Sequence, residues 1–515
     1  MDSGTSGVGD SGNARRHGGG PDDVPEQLRV RREKLDRLRA EGVDVYPVGV
    51  ARTHSLREIR ANHPDLDPNT QTGTAVGITG RVIFARNTGK LCFATLREGG
   101  VEVQVMLALD RVGADALAAW KRDIDLGDTV FVTGEVGTSR RGELSVLADH
   151  WTFTAKALRP LPVAHKAMSE ELRVRRRYVD LIVREQARKM AHDRATVLRT
   201  LRASLDAAGF IEIETPMLQV IPGGASARPF VTHSNALDLA LYLRIAPELY
   251  LKRCIVGDLE RVYELNRNFR NEGVDASHSP EFAMLEFYQS YADYRDVAAL
   301  TASLIQACAQ ALYGQLHIQR DSGQTLDLSG EWPWQDFYTL VSDAVGDVVG
   351  PQTSRETLTE LAVRHKIEIQ ASWGVGRLAE ELFDELVADT LTGPVFVADF
   401  PIETSPLTRA HRTKPGVAEK WDLYIGGVER GTGYSELTDP VEQRARFAAQ
   451  AEMAAAGDEE AMVLDDDFLE ALEYAMPPTG GVGLGIDRLL TVLTDAATLR
   501  DTILFPLVRP LSSSS

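Results

Sequence analysis

The sequence predicts an α+β chain in which a small all-β barrel precedes a larger domain mixing strands and helices. Three observations predict it. Between about residues 75 and 157, apolar residues alternate in short runs separated by glycines and charged turns, the pattern of half-buried strands. Beyond about residue 184, helical spacing and alternating runs succeed one another. The 515 residues exceed one ordinary core, so two to four domains are expected.

Composition narrows the class. With 43% hydrophobic and 25% charged residues the chain reads as a soluble globular protein, and no stretch is apolar enough to span a bilayer. Residues 1–25 lack an apolar core and are expected to be a disordered tail, not a secretory signal; residues 511–515 are expected to be a second one. Three well-separated cysteines, Cys92, Cys254 and Cys308, form no Cys-x-x-Cys pair, so neither a zinc site nor a disulfide framework is indicated. A reducing, cytoplasmic setting fits. The net charge of −19 counts modestly against nucleic acid, because phosphate binding needs only a local basic face.

In chain order, residues 26–74 are expected to form an N-terminal helical arm. Its first segment, EQLRVRREKLDRLRAE, places Leu28, Leu35 and Leu38 on a sparse apolar side, as in an ordinary solvated helix or an RNA-contacting one. Residues 75–157 hold about five strands, among them Leu91-Cys-Phe-Ala-Thr-Leu and Thr129-Val-Phe-Val-Thr-Gly, suiting a closed OB-fold barrel. Such barrels stack single-stranded bases on exposed aromatics, or serve only as structural modules. Residues 158–180 read as a linker. A helix from about Arg184 to Ala208 follows, with Val197, Leu201 and Leu205 at i+4 spacing and Gly209 where a left-handed terminating residue belongs. Phe210 to Pro216 alternates as a strand. Residues 181–510 form the large domain, within which 315–390 carry no readable motif and look like an insertion.

No Gly-x-x-x-x-Gly-Lys-Ser/Thr phosphate loop and no His-Glu-x-x-His occurs. Three other segments occur in order: Gly209-Phe-Ile-Glu-Ile-Glu-Thr-Pro216; Phe269-Arg-Asn-Glu-Gly273 running through His278-Ser-Pro-Glu-Phe282 to Glu286; and Gly481-Val-Gly-Leu-Gly-Ile-Asp-Arg488. Each alone is weak, since Gly-x-Gly-x-Gly could be any tight packing site. Together they resemble motifs 1, 2 and 3 of the class II aminoacyl-tRNA synthetases. The resemblance runs from about residue 26 to 510 and implies an antiparallel sheet with flanking helices, preceded by the OB-fold. Within the class, Arg244-Ile-Ala-Pro-Glu-Leu-Tyr-Leu-Lys-Arg253 resembles the bacterial-type lysine enzymes; aspartate relatives usually carry glutamine where Glu248 stands.

What the resemblance implies is specific. The expected reaction is ATP-dependent activation of L-lysine to an adenylate and its transfer to tRNA(Lys), by a homodimer in the cytoplasm without membrane attachment. Arginine grips phosphate and carboxylate oxygens in a planar, bidentate way, which suits Arg270 and Arg488; they and Glu272 are the expected catalytic residues. ATP is expected against Arg270, Glu272, His278, Phe282, Glu429, Gly483, Gly485 and Arg488, with Phe282 facing the adenine and the motif 3 glycines, Gly481 included, letting backbone approach the nucleotide. A substrate with two amines needs carboxylates. Glu248 is expected at the α-amine and Glu436 at the ε-amine, with Arg270, Glu286, Tyr288, Thr432 and Tyr434 completing the pocket. Asp422 and Glu429 match the family's acidic positions for Mg²⁺, with aspartate where glutamate is common. Arg430 replaces a commonly apolar residue, a departure with no evident role in the sequence. Arg86, Phe93, Gln104 and Glu143 match anticodon-reading positions, though Phe93 could equally be a barrel-core residue. The alternatives are an aspartyl- or asparaginyl-tRNA synthetase, a lysine transferase acting on protein or lipid, and a non-catalytic RNA-binding paralogue. Glu248 and Glu436 speak against the first.

Overall fold

A computed structural model describes residues 26–162, 168–273, 275, 278–455 and 462–510; the two expected tails and part of the expected linker lie outside these. The chain divides into two compact units, at Met168 and Ser169.

In the first unit, β1 (Gln71–Thr88), β2 (Leu91–Glu98), β3 (Val101–Ala108), β4 (Thr129–Thr138) and β5 (Leu144–Ala155) close into a barrel in the order β1-β2-β3-β5-β4. Side chains alternate as the pleat requires: Cys92, Ala94 and Leu96 are wholly buried inside, while Phe93 and Thr95 lie half-buried outside. Helix Glu26–Ala40 buries Leu28, Leu35, Leu38 and Arg31. Arg31 Nη1 donates to Ala157 O and Arg159 O at 3.1 and 3.2 Å, and its Nη2 to Leu126 O at 3.0 Å. That helix is thus fastened to the barrel by its sparse apolar side and Arg31. Under the barrel, Lys156 is fully buried and donates to Asp123 O, Asp125 and Asp128 at 2.6–2.7 Å.

The expected linker to residue 180 ends early. Ser169 caps a helix, Glu170–Arg175, and a second one, Arg177–Val183, buries the Arg177–Asp180 ion pair at 2.9 Å. Of the charges that read as a connector, Arg175 pairs with Glu171 and Arg177 with Asp180. The long helix is Glu185–Ala207, and Gly209 takes φ +81°. The strand expected over Phe210–Pro216 shrinks to β6 (Ile211–Glu212). After Ile213 N donates to Tyr263 O at 2.8 Å, Thr215 turns its hydroxyl to Glu264, and Pro216 has no N–H for a ladder. Next come β7 (Leu218–Gln219), β8 (Val231–Ser234) and β9 (Leu239–Leu243), a small sheet ordered β7-β9-β8.

β10 (Arg261–Phe269) and β11 (Glu281–Ser290) begin the main sheet; β12 (His317–Gln319) and β13 (Thr325–Asp327) form a hairpin. The sheet is completed by β14 (Trp334–Asp336), β15 (Val395–Ala398), β16 (Lys420–Tyr424), β17 (Glu429–Ser435) and β18 (Thr479–Gly485), in the order β14-β15-β16-β17-β18-β11-β10-β6. Pairings are antiparallel except at its two edges, β14–β15 and β10–β6. One face carries the core: Leu285, Phe287, Trp421, Leu423, Val482 and Leu484 meet Val197, Leu201 and Leu205 of the long helix and Val297, Leu304 and Ile305 of helix Tyr294–Tyr313.

Residues 315–390 are not a separate insertion. Ile318, Leu326, Leu328 and Trp332 belong to that same core, and β14 is an edge strand of the sheet. Only the helices Phe337–Val345, Arg355–Arg364 and Val375–Leu386 build a further cluster, around Phe337, Phe383 and Phe400.

Candidate active site

Alternation along the strands puts the opposite set of side chains on the other face of the sheet. Glu286 and Tyr288 of β11, Asp422 of β16, Thr432 and Tyr434 of β17, and Gly483 and Gly485 of β18 line a cavity of about 380 Å³. Register makes them neighbours: Glu286 stands opposite Gly483, which stands opposite Thr432, which stands opposite Asp422. Arg270, Glu272, His278 and Phe282 come from the β10–β11 connection and its return, Glu429 from the start of β17 and Arg488 from the helix after β18. Except for Glu436 and Gly481, then, the structure brings every residue expected to bind ATP, metal or amino acid to one cavity.

One end is basic. The Arg270 guanidinium lies 5.1 Å from the centre of the Phe282 ring, and its Nε is buried without a hydrogen-bond partner. Burial lowers the pKa of Arg270, opposed by the carboxylates of Glu272 and Glu286. Arg488 Nη1 sits 3.6 Å from Glu429 Oε2. Asp487, between the motif 3 glycines and Arg488, faces the other way: it accepts Ala283 N at 2.7 Å and pairs with Arg194 at 2.5 Å, stitching motif 3 to β11 and the long helix.

The other end is acidic. Glu248 opens helix Glu248–Val256 and lines the wall beside Glu286 and Tyr288. Burial, reinforced by Glu248, pushes both the Glu286 carboxyl and the Tyr288 hydroxyl well above their usual ranges. Glu436 does not reach the wall. Its side chain is fully buried behind it, ion-paired to Lys252, which also binds Glu248 Oε1 at 2.7 Å. The sequence displays the Glu248–Lys252 pair as an i, i+4 spacing but not the third member, which arrives from almost two hundred residues downstream.

Sequence reasoning also missed Gly224. With φ +84° it closes a loop over Glu248, and a Cβ there would lie 2.9 Å from the Glu248 Cβ. Gly481, expected at the nucleotide, belongs elsewhere. A side chain on it would collide with Glu436 and Tyr288, so its bareness makes room for the acidic end.

Arg430 has a structural answer. The β16–β17 register slips, so that Tyr424 opposes Glu429 and Leu423 opposes Gly431, leaving Arg430 as the extra residue of a bulge. Its guanidinium turns away from the acidic pair and donates to Ile425 O, Arg488 O and Thr491 Oγ1, each at 3.0 Å. Burial pushes its pKa down to about 10, with Arg488 adding to the effect.

A divalent cation can be tested against the acidic pair. Asp422 keeps Oδ2 at 3.1 Å from Lys420, while its Oδ1 is buried with no hydrogen-bond partner. Burial raises the Asp422 pKa, Lys420 opposes this, and the Glu429 charge adds to it. Among the described residues no group of three His, Cys, Asp or Glu is arranged to hold a metal. Two carboxylates with an orphaned oxygen suit magnesium, which takes much of its shell from water and phosphate.

On the barrel, Arg86 stands opposite Phe93, and Gln104 opposite Thr95, so all lie on the outer face. Phe93 is therefore not core. Phe84, 53% exposed and opposite Thr95, joins this face and was not singled out by sequence. Glu143 is exposed and 3.5 Å from Arg60.

Comparison with known proteins then decides the family. Residues 169–509 match the family described as tRNA synthetases class II (D, K and N), and residues 76–153 match the OB-fold nucleic acid binding domain. The chain belongs to the class II tRNA synthetases. This synthetase is 60% identical over 492 residues to a lysine–tRNA ligase of Mycolicibacterium gilvum, covering 95% of this chain and 98% of the relative. It is 58% identical over 499 residues to lysine–tRNA ligase 1 of Mycobacterium tuberculosis, covering 96% and 99%. It is also 48% identical over 491 residues to the lysylphosphatidylglycerol biosynthesis bifunctional protein LysX of Rhodococcus opacus, covering 94% of this chain but 43% of that one.

Proposed function

We propose that this synthetase is a lysine–tRNA ligase, activating L-lysine with ATP and transferring it to the 3′-terminal adenosine of tRNA(Lys). The observation that carries this reading is the cavity's polarity: Arg270 and Arg488 at one end, Glu248 and Glu286 with Glu436 behind them at the other. A zwitterion with a second amine is the amino acid that matches such a site, because its carboxylate would meet the basic end and its two ammonium groups the acidic one.

The chemistry needs no protein nucleophile. The lysine carboxylate attacks the α-phosphorus, the bond to the bridging oxygen breaks, and pyrophosphate leaves with the electron pair. Arg270, with its unpartnered buried Nε, holds carboxylate and α-phosphate together, and Phe282 offers a face to the adenine. Arg488 swings from Glu429 to the phosphates, while Glu272 and His278 at the mouth contact the nucleotide. Glu248 takes the α-amine; Tyr288, Tyr434 and Thr432 receive the side chain, with the Glu436 charge behind them. Asp422 and Glu429 would hold magnesium, whose contribution is to neutralise phosphate charge. The terminal adenosine hydroxyl then attacks the mixed anhydride and AMP departs. Arg86, Phe93 and Gln104 on the barrel's outer face, with the exposed Glu143 just before β5, read the anticodon by stacking and base-edge hydrogen bonds, with Phe84 a further stacking face.

We place the enzyme in the cytoplasm as a homodimer. Around motif 1, Ile211, Met217, Leu218, Val220 and Val231 expose apolar surface that a second copy would cover. ATP–pyrophosphate exchange with magnesium, offered each amino acid in turn, tests the reading: exchange with lysine alone is expected, and exchange with aspartate or asparagine instead would overturn it.

A further inference from the structure

Lys252 is used by none of the steps above. Its side chain is wholly buried, yet its Nζ lies 2.7 Å from Glu248 Oε1, forms an ion pair with Glu436 Oε2, and reaches Leu407 O at 3.5 Å. Apart from that ion pair, neither oxygen of Glu436 has a hydrogen-bond partner, although the residue is only 1% exposed. Two carboxylates in one dry pocket repel each other and lose hydration, so without a cation one of them takes up a proton. A protonated carboxyl is a poor partner for an ammonium.

We propose that Lys252 is a positioning residue of the amino-acid pocket, a built-in cation that bridges Glu248 and Glu436 and fixes their spacing before the substrate arrives. This rests on reading the cavity as a lysine site. The geometry supports it from three elements: Lys252 is one turn along the helix that Glu248 opens, Glu436 follows β17 and is held by its N–H to Thr479 O at 2.8 Å, and Leu407 closes the far side. Burial opposes charge on Lys252, but Glu248 and Glu436 outweigh it and hold the ammonium above its ordinary range. For Glu436, burial pushes the carboxyl up to about 8, Lys252 opposing this and Glu248 adding to it, so Lys252 is the one group that favours its charged form. The other titratable groups facing this cluster, Glu286 and Tyr288 of β11 and Tyr434 of β17, supply no positive charge.

The test is lysine-dependent ATP–pyrophosphate exchange across about pH 6.5 to 8.5 for wild type, Lys252→Met and Lys252→Arg. Lys252→Met is expected to raise the lysine KM about tenfold or more near neutrality while the ATP KM stays within about twofold. That penalty should shrink as pH rises and the carboxyl ionises. Lys252→Arg should restore most of the lysine affinity and remove the added pH dependence. In a Glu436→Gln background, Lys252→Met should add little pH dependence, since one of the two competing charges is already gone. Should the methionine variant fail to fold, Lys252→Gln reads the same loss of charge. A neutral variant whose lysine KM and pH profile match wild type, or whose kcat and both KM values change together at every pH, overturns the proposal alone. A wild-type enzyme that exchanges a different amino acid overturns the lysine reading beneath it.

Discussion

Replacing Gly481 by alanine separates the two ends of the cavity. The residue sits in β18 between Tyr288 and Tyr434 in register. An added Cβ would lie 2.5 and 2.7 Å from Tyr288 Cε1 and Cδ1 and would overlap Glu436 Oε1. Tyr288 and Glu436 are 2% and 1% exposed, so neither can swing into solvent. Overpacking of this kind costs about 1–3 kcal/mol. If it is felt wholly in the amino-acid pocket, the lysine KM rises about 5- to 150-fold with the ATP KM nearly unchanged. Gly485→Ala is the contrast: its nearest protein heavy atom, Arg488 Cβ, would lie 3.5 Å away, so it should spare the lysine KM and, at the nucleotide end, act on the ATP KM instead. The assay is ATP–pyrophosphate exchange at varied lysine and varied ATP, with melting curves on both variants. A natively melting Gly481→Ala enzyme with wild-type lysine KM, or with both KM values raised equally, would refute the assignment of this glycine to the acidic end.

Three other expectations follow from single side chains. Phe93→Ala should slow charging of tRNA about tenfold or more while leaving adenylate formation intact, because stacking on one aromatic is worth about 1–3 kcal/mol per base; equal loss of both reactions would indicate misfolding instead. Lys156→Met strands the buried Asp128 carboxylate and should lower stability by about 3–5 kcal/mol, read as urea-dependent hydrogen exchange at Val130 and Val132 in the barrel; unchanged exchange would sink it. Arg430→Leu removes two hydrogen bonds that fix the backbone of Arg488 and Ile425 and a third to Thr491 Oγ1, and should raise the ATP KM about tenfold while sparing lysine; a selective lysine defect would contradict it.

Much of this was legible because it is periodic. The alternation of β2 placed Cys92, Ala94 and Leu96 inside the barrel, and the i+4 run through Val197, Leu201 and Leu205 gave the long helix nearly to its ends. Phe282, Glu286, Gly483 and Gly485 fell into one cavity because strand parity carries them there. Sequence failed where a contact depends on two distant segments. Lys252 was visible beside Glu248, but Glu436 joins them only through the fold. The covering role of Gly224 depends on a loop folding onto Glu248, and Trp332 reads as part of an insertion until the core around it is seen.

The bulge at Arg430 shows why such features matter. Side chains along a strand alternate, so residues an odd number apart point to opposite faces. Thr432 and Tyr434 face the cavity, and by that rule Glu429 would face the core. One extra residue between Glu429 and Gly431 reverses the phase and brings Glu429 back to the cavity side, beside Asp422 and Arg488. The segment then runs from the phosphate end at Glu429 to the acidic end at Glu436, roughly 20 Å of extended chain at about 3.3 Å per residue. That is the scale of a nucleotide with an amino acid joined to it. An additional residue at a bulge must put its side chain somewhere. Here it points toward the helix Ile486–Thr494, where an arginine can satisfy Ile425 O, Arg488 O and Thr491 Oγ1 together. Arg430 is thus a buried cation that points away from the acidic pair, because the bulge that aligns Glu429 is the same one that aims Arg430 away.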